Sequence, residues 1–212
     1  MYKYTDILWD FNGTILDDVE TGIKSVNKLL SDRGLKQIGS VDEYTRVFCF
    51  PVRKYYENVG FDLEKESFED IAPQWVEQYM INVRDAKIFD DVRETVLHFA
   101  ALGTKQTILS ATELDMLNGQ LHDLGLDGLF DDVLGLDNIH AESKVAIAKR
   151  WRDAHGSAKA LLIGDSVHDF EVATAIGADC VLVARGHQSR ENLEKCGAYV
   201  VSTLGEIFGR DC

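Results

Sequence analysis

Five polar side chains follow or adjoin short apolar runs, and their types suit phosphate chemistry. Asp10 ends the run YTDILWD, Ser110 ends TKQTILS, and Asp165 ends ALLIGD. Asp169 follows four residues after Asp165, and Lys144 begins a segment of helical character. Mg²⁺ prefers carboxylate oxygens and usually shares its coordination with a substrate phosphate, which a lysine also attracts. These residue types therefore predict a site for Mg²⁺ and a phosphoryl group.

The pattern of strands and helices predicts that these side chains meet. Residues 4–11 are typical of a buried strand, and after Phe89 strand-like runs alternate with helical segments to the end of the sequence. Such alternation predicts βαβ units, and so an α/β fold with a doubly wound parallel sheet. Because open sheets of this kind bind ligands at the carboxyl ends of their strands, we expect the five side chains to converge on one crevice.

The segment between the first strand and the alternating region has a different character. It contains both prolines of the chain, Pro51 and Pro73, and its apolar residues recur at helical spacing. We therefore predict one α/β domain, residues 1–15 and 86–212, interrupted by a helical insertion, residues 16–85, which we call the cap. The cap leaves the core directly after the first strand, where it is well placed to act as a lid.

Composition narrows the classes of function. The chain has 212 residues with a net charge of −14 and no basic block, which speaks against nucleic acids and anionic membranes as partners. It has no apolar stretch of about 18 residues, so we expect no membrane span. Four widely spaced cysteines without a C-x-x-C pair, and no cationic, apolar leader, predict a reducing, cytoplasmic location. We expect a monomer or homodimer.

With these motifs the chain resembles the haloacid dehalogenase superfamily of phosphatases. Residues 10–14, DFNGT, are similar to its D-x-D-G-T nucleophile motif, and residues 108–110, ILS, are similar to its second motif. Lys144 corresponds to the third motif, and residues 164–169, GDSVHD, are similar to the fourth, G-D-S-x-x-D. The motifs occur in order across the core, and the cap resembles that of the phosphoglycolate phosphatase and β-phosphoglucomutase branch.

The resemblance implies a role for each matched residue. Asp10 would be the nucleophile and form an aspartyl-phosphate. Ser110 and the backbone N–H of Ala111 would bind phosphoryl oxygens, and Lys144 would neutralise charge on the transferring group. The implied ligands of Mg²⁺ are Asp10, the backbone carbonyl of Asn12, Asp165 and Asp169. The implied activity is Mg²⁺-dependent hydrolysis of a small, phosphoglycolate-like phosphorylated metabolite.

Position 12 departs from the family's pattern. The family's phosphatases carry a second aspartate there, which protonates the leaving oxygen and later deprotonates the attacking water, whereas this chain has Asn12. An amide donates a hydrogen bond but does not shuttle a proton, and general acid–base catalysis is typically worth about 10² to 10⁴ in rate. Asn12 fits a slow phosphatase, a catalytically impaired phosphometabolite-binding protein, or an enzyme in which His168 or His187 carries the proton.

Other interpretations of the same residues stay open. Asp10 and Asn12-Gly13 are also typical of a turn, and Ser110 of a helix N-cap, which would itself attract an anion. Dehalogenases and phosphonatases of the superfamily also lack the second aspartate. Dehalogenases match the fourth motif poorly, however, and for a phosphonatase only Lys54 suggests the required Schiff-base lysine.

The cap offers candidate substrate contacts. Arg53 and Lys54 are cations that could face the acidic crevice and meet a substrate anion, although a solvated helix face is the alternative interpretation. Trp75, Tyr79 and Met80 lie at helical spacing, which predicts the core of the cap rather than a surface for substrate.

Overall fold

A computed structural model describes residues 3–136, 143–156 and 158–208 of the chain. Its regular elements alternate between strands and helices outside the cap. The strands are Asp6–Trp9 (β1), Leu16–Asp17 (β2), Lys87–Ile88 (β3), Lys105–Glu113 (β4), Asp132–Leu136 (β5), Ala160–Gly164 (β6), Asp179–Val183 (β7) and Tyr199–Val201 (β8). The α-helices are Val19–Asp32 (α1), Val41–Val47 (α2), Val52–Asn58 (α3), Phe68–Asn82 (α4), Val92–Ala101 (α5), Leu114–Asp123 (α6), Lys144–His155 (α7), Val167–Ile176 (α8) and Arg190–Lys195 (α9).

A six-stranded parallel sheet, in the order β5-β4-β1-β6-β7-β8, confirms the predicted α/β fold. At its centre Leu8 of β1 pairs with Thr107 of β4 on one side and with Leu162 of β6 on the other. The chain passes from β1 to β4 and β5, then returns to β6 beyond β1, so the strand order reverses there. Such a switch point creates a crevice at the carboxyl ends of the strands, and Asp10 and Asp165 follow the two strands that flank it.

Helices cover both faces of the sheet, as a doubly wound fold requires. Successive side chains of a strand point to opposite faces, and β1 shows the consequence. Ile7 and Trp9 enter one apolar cluster with residues of α5 and α6, such as Phe99 and Leu117. Leu8 enters the cluster on the other face, which α7 and α8 complete. The burial of β1 on both faces explains why its sequence is apolar from Ile7 to Trp9.

Helices α1 to α4 share an apolar cluster of their own. Its buried members include Val26 and Leu30 of α1, Tyr56 of α3 and Ile71 of α4. The short strands β2 and β3 pair antiparallel at the base of this helical segment, with Leu16 opposite Ile88. The helices agree with the helical character predicted for the cap, and its division from the core at residues 16 and 85 stays a prediction.

The helices and the cysteines bear on the expectations drawn from composition. In the described ranges, every helix is too short or too polar to cross a lipid bilayer. Cys49, Cys180 and Cys196 are free thiols, and Cys212 lies outside the described residues.

Strand β6 lies in the middle of the sheet, and its residue Leu162 is fully buried. Replacing the fully buried Leu162 with alanine should lower the free energy of unfolding by about 2 to 5 kcal/mol, because it removes apolar contacts and leaves a cavity. The matched variant Leu97→Ala changes a side chain on α5 that is 59% exposed and should stay within about 0.5 kcal/mol of the unchanged protein. Urea denaturation measures both, and equal losses would contradict the assignment of β6 to the core.

Candidate active site

A buried ion-pair cluster lies at the crevice, with Lys144 at its centre. The Nζ atom of Lys144 contacts a carboxylate oxygen of Asp10 and lies 2.6 Å from Oδ1 of Asp169. Asp10 follows β1, Lys144 is the first residue of α7, and Asp169 lies in the first turn of α8. Burial lowers the pKa of Lys144, but the two carboxylates outweigh it and raise that pKa, so the amine is cationic.

Asp165 adds a third carboxylate to this cluster. Asp10, Asp165 and Asp169 each offer one oxygen, and these three atoms lie within 4.8 Å of one another. Burial and the charge of Asp169 raise the pKa of Asp10 to about 6, against the opposing effect of Lys144. Burial also raises the pKa of Asp165 well above its usual value. Two buried acids with raised pKa values beside one lysine are typical of a site that holds a further cation.

The donor set fits Mg²⁺, which prefers oxygen ligands. Within the described part of the chain, the side chain of Asp165 accepts a hydrogen bond only from the backbone N–H of His187. Both carboxylate oxygens of Asp169 already have partners. Oδ1 accepts from Lys144, and Oδ2 accepts from the backbone N–H and the hydroxyl of Ser166. Asp165 is therefore better placed than Asp169 for direct contact with a metal, and Asp169 is better placed to orient Lys144.

Gly13 makes close packing possible at this point. Its φ of +74° favours glycine, and a Cβ there would overlap the carboxylate of Asp165 and the ring of His187. Its backbone N–H donates to Oδ1 of Asp18 at 2.9 Å. The turn signalled by Asn12-Gly13 thus brings Asp18 next to the carboxylate cluster.

Hydrogen bonds hold the side chain of Asn12 at three points. Its Nδ2 donates to Oδ2 of Asp18 at 2.9 Å and to the hydroxyl oxygen of Tyr79 at 2.7 Å. Its Oδ1 accepts from Oγ1 of Thr112 at 2.9 Å, and the Tyr79 hydroxyl donates in turn to Oδ2 of Asp18 at 2.7 Å. The amide is therefore oriented by the core through Thr112 and by the cap through Tyr79.

His187, one of the two histidines considered as a proton carrier, forms a buried pair with Asp18. Its Nε2 lies 3.2 Å from Oδ1 of Asp18, and its Nδ1 lies 2.8 Å from the hydroxyl oxygen of Tyr44. Burial lowers the pKa of His187, but the charge and hydrogen bond of Asp18 raise it to about 9. The ring is cationic at neutral pH, so both nitrogens donate. His187 stabilises the charge of Asp18, which in turn holds Asn12.

The interpretation of Ser110 as a helix N-cap was wrong. Strand β4 continues past it to Glu113, and Glu113 itself caps α6 by accepting from the backbone N–H of Met116 at 2.9 Å. The Ser110 hydroxyl instead exchanges hydrogen bonds with Thr112, from whose backbone N–H it accepts at 3.1 Å. The register between β4 and β5 shifts between Leu109 and Glu113, and residues 110–113 line the crevice.

A cavity of about 230 Å³ contains these groups. Seven of the residues proposed from the motifs line it, namely Asp10, Asn12, Ser110, Ala111, Lys144, Asp165 and Asp169. The expected convergence at the sheet edge is therefore present, while the catalytic roles of these residues stay predictions.

The structure does not bring Arg53 and Lys54 to this cavity, whose described lining excludes both. Arg53 pairs with Glu69 at 2.9 Å and Lys54 with Glu57 at 3.2 Å on exposed helix surfaces. The expectation of a substrate contact is corrected to the alternative interpretation, a solvated helix face, because each cation has an acidic neighbour within the cap.

The cap instead contributes aromatic side chains. Trp75 packs against the apolar cluster of the cap, as predicted, but Trp75 and Tyr79 also both line the cavity. Met80, the next residue along the helix, lies about a quarter of a turn from Tyr79 and is exposed. Helical spacing predicted a shared face for Trp75 and Tyr79 correctly, but it could not distinguish a face toward the cap core from one toward a cavity.

Sequence reasoning missed Asp18, Tyr44 and Thr112. Asp18 occupies the N-cap position of α1, yet its side chain makes no capping hydrogen bond. Its carboxylate turns back to Asn12 and Gly13 instead. A carboxylate six residues after Asn12 was the only signal available, and helix starts commonly carry one.

Comparison with known proteins agrees with this geometry. Residues 7–183 match the family model of the haloacid dehalogenase-like hydrolases. The chain belongs to this family. The match covers β6 and all but the first residue of β1, with the aspartates that follow both strands, and it confirms the predicted class of enzyme, a hydrolase.

Individual relatives are distant but cover most of the chain. A phosphoglycolate phosphatase of Aquifex aeolicus is 26% identical over 85% of this chain and 85% of its own length. A phosphoglycolate phosphatase of Caulobacter vibrioides is 24% identical over 92% and 85%. A Bacteroides fragilis protein assigned to the same family has a TM-score of 0.83, with 21% identity over 97% of this chain and 100% of that one, which establishes the shared fold.

The hydroxyl of Tyr79 should be important for stability. Tyr79→Phe removes the partner of both Asn12 and the buried Asp18, so we expect a loss of about 1 to 3 kcal/mol in the free energy of unfolding. Tyr55→Phe is the matched control, because among the described atoms the buried Tyr55 hydroxyl has no hydrogen-bond partner. Urea denaturation of both variants tests the network, and a larger loss for Tyr55→Phe would refute it.

Proposed function

We propose that this hydrolase is a Mg²⁺-dependent phosphatase that acts on a small phosphorylated metabolite through an aspartyl-phosphate. The observation that carries the proposal is the position of Asp10, buried at the switch point between Lys144 and Asp165. A nucleophilic carboxylate at this position has a cation beside it and faces a cavity that could hold a phosphate ester. The phosphatase names of the distant relatives support the same chemistry.

The proposed reaction has two displacements. A carboxylate oxygen of Asp10 bonds to phosphorus, the ester P–O bond breaks, and the leaving oxygen takes up a proton to become an alcohol. Water then attacks the same phosphorus, which returns the Asp10 carboxylate, inorganic phosphate and a proton. Dividing the reaction in this way replaces one difficult displacement with two easier ones.

Residues of this chain supply most of the electrostatic stabilisation. Lys144 neutralises charge on Asp10 and on the transferring group, and Ser110 with the backbone N–H of Ala111 is placed to donate to phosphoryl oxygens. Asp10, Asp165 and the backbone carbonyl of Asn12 would hold Mg²⁺, with Asp169 in support. When bound, the ion would neutralise the charge that builds up between the phosphoryl oxygens and the two aspartates.

We propose that the enzyme works in the cytoplasm, as a monomer or homodimer, on a metabolite rather than on nucleic acid or a membrane. The three free thiols in the described ranges fit a reducing compartment, and the net charge of −14 disfavours polyanionic partners.

The role of Asp10 can be tested directly. Asp10→Asn removes the nucleophilic carboxylate and should reduce Mg²⁺-dependent hydrolysis of p-nitrophenyl phosphate by more than about 10³-fold. Chelation of the metal should have a comparable effect, and a rapidly quenched reaction of the unchanged protein should show the mass of one added phosphoryl group on the peptide that contains Asp10. Asp123→Asn, at an exposed position on α6, is the control and should retain activity. Undiminished activity of Asp10→Asn would rule out the mechanism.

Asn12 limits proton transfer in this proposal, and the structure suggests how to restore it. Asn12→Asp alone places a carboxylate against Asp18 and removes two donated hydrogen bonds, so we expect it to cost about 1 to 3 kcal/mol of stability. Asn12→Asp combined with Asp18→Asn keeps one carboxylate in the pair and should recover part of that loss.

The same pair of variants tests catalysis. The double variant should raise turnover of esters with poor leaving groups by up to about 10²-fold and change the activated p-nitrophenyl ester little, because only poor leaving groups need the proton. An equal change for both classes of ester would contradict this explanation. A protein that binds phosphate esters saturably but hydrolyses neither class would instead be the catalytically impaired binding protein.

A further inference from the structure

The two ends of the cavity differ in chemistry. At the sheet edge lie the carboxylates, Lys144 and Ser110, which suit a phosphoryl group with its metal. The cap and α6 add apolar side chains to the lining, which we call the apolar wall. That wall consists of Phe48, Phe50, Trp75, Val76 and Met116.

Trp75 connects this wall to the proposed reaction centre. Its ring stacks on the ring of Tyr79, with centroids 4.9 Å apart and planes at 21°. The hydroxyl of Tyr79 is the group that binds Asn12 at 2.7 Å. The half-buried indole therefore lies one side chain away from the residue that approaches the leaving group of the ester. Phe48 and Phe50 also line the cavity, and their rings meet edge-on with centroids 5.6 Å apart.

Charges near this wall disfavour an anionic leaving group. Among the described lining residues, Lys144 is the only lysine, no arginine is present, and Asp10 and Asp169 already pair with Lys144. The carboxylates of Asp18 and Glu113 also line the cavity. A carboxylate on the substrate, in addition to its phosphate, would lie near these acids without a free cation to pair with. Burying an unpaired charge is costly.

The two histidines of the lining do not change this balance. The charge of His187 is matched by Asp18. The ring of His168 stacks on Phe50 at 4.7 Å, and its Nδ1 lies 3.2 Å from Glu171. The arginine and lysine that the cap presents on α3 point to Glu69 and Glu57 on its surface.

We propose that the preferred substrate is a phosphate monoester with a flat, uncharged, apolar leaving group, such as an aromatic ring, rather than a small carboxylate such as glycolate. The ring packs against Trp75 and the other apolar side chains of the lining while the phosphoryl group reaches Lys144. Stacked aromatic pairs add stabilisation beyond their buried area, and burial of the ring adds to it. This inference rests on the proposed function, because it assigns the phosphoryl group to the polar end.

Binding of stable phosphonates tests the inference without interference from leaving-group reactivity. Benzylphosphonate and phosphonoacetate both carry a phosphonate on a methylene group, and they differ in ending with a phenyl ring or a carboxylate. Isothermal titration in saturating Mg²⁺, with inorganic phosphate as reference for the polar end, should give benzylphosphonate an affinity at least about tenfold above that of phosphonoacetate.

Variants of Trp75 identify the wall as the cause. Trp75→Ala should weaken benzylphosphonate by about five- to tenfold and leave inorganic phosphate unchanged, whereas Trp75→Phe should retain most of the affinity. Ile81→Ala, an exposed position on the same helix, is the control and should affect no ligand. Unchanged phosphate binding also shows that each variant is folded.

The outcomes separate this inference from the proposed function. If inorganic phosphate binds but phosphonoacetate equals or exceeds benzylphosphonate, the inference is wrong and the phosphatase proposal stands. The inference is also wrong if Trp75→Ala weakens inorganic phosphate and benzylphosphonate equally. If inorganic phosphate itself does not bind in the presence of Mg²⁺, the proposed function fails, and this inference fails with it.

Discussion

The buried contact of Lys144 with Asp10 and Asp169 is the interaction on which the site depends. It joins the end of β1 to the beginnings of α7 and α8, three elements that are far apart in the sequence. Charges removed from water are tolerated only when they are paired and hydrogen-bonded, so the sheet and both helices must hold their positions for the pairing to persist. The apolar faces of β1 and β6 provide that rigidity.

A second network connects this cluster to the cap. Asn12 lies beside the nucleophile candidate, and its amide is bound by Asp18 at the start of α1 and by Tyr79 on α4. An aspartate at position 12 would oppose Asp18, whereas the amide donates to it. The charge pair of Asp18 with His187 offsets the desolvation cost of burying that carboxylate. The change from carboxylate to amide is thus matched by its surroundings.

The charged side chains on the surface differ in role from those inside the cavity. Most of the net charge of −14 belongs to exposed side chains, several of them paired with lysines and arginines of the cap. Inside the cavity the acids are balanced locally by Lys144 and His187. Among the described residues that line the cavity, the cap contributes aromatic rings and no arginine or lysine. Such a division suits a ligand that is anionic at one end only.

The sequence by itself determined the strands, their helices and the residues at the strand ends, because alternation of apolar runs is a local property. Asp10, Ser110, Lys144, Asp165 and Asp169 could be found in this way, and all five line one cavity. The tertiary structure alone decided that Arg53 pairs with Glu69, that Tyr79 binds Asn12, and that Asp18 turns away from its helix. The partner of a side chain depends on how distant segments pack, and helical spacing is the same whether a face meets apolar core or an open cavity.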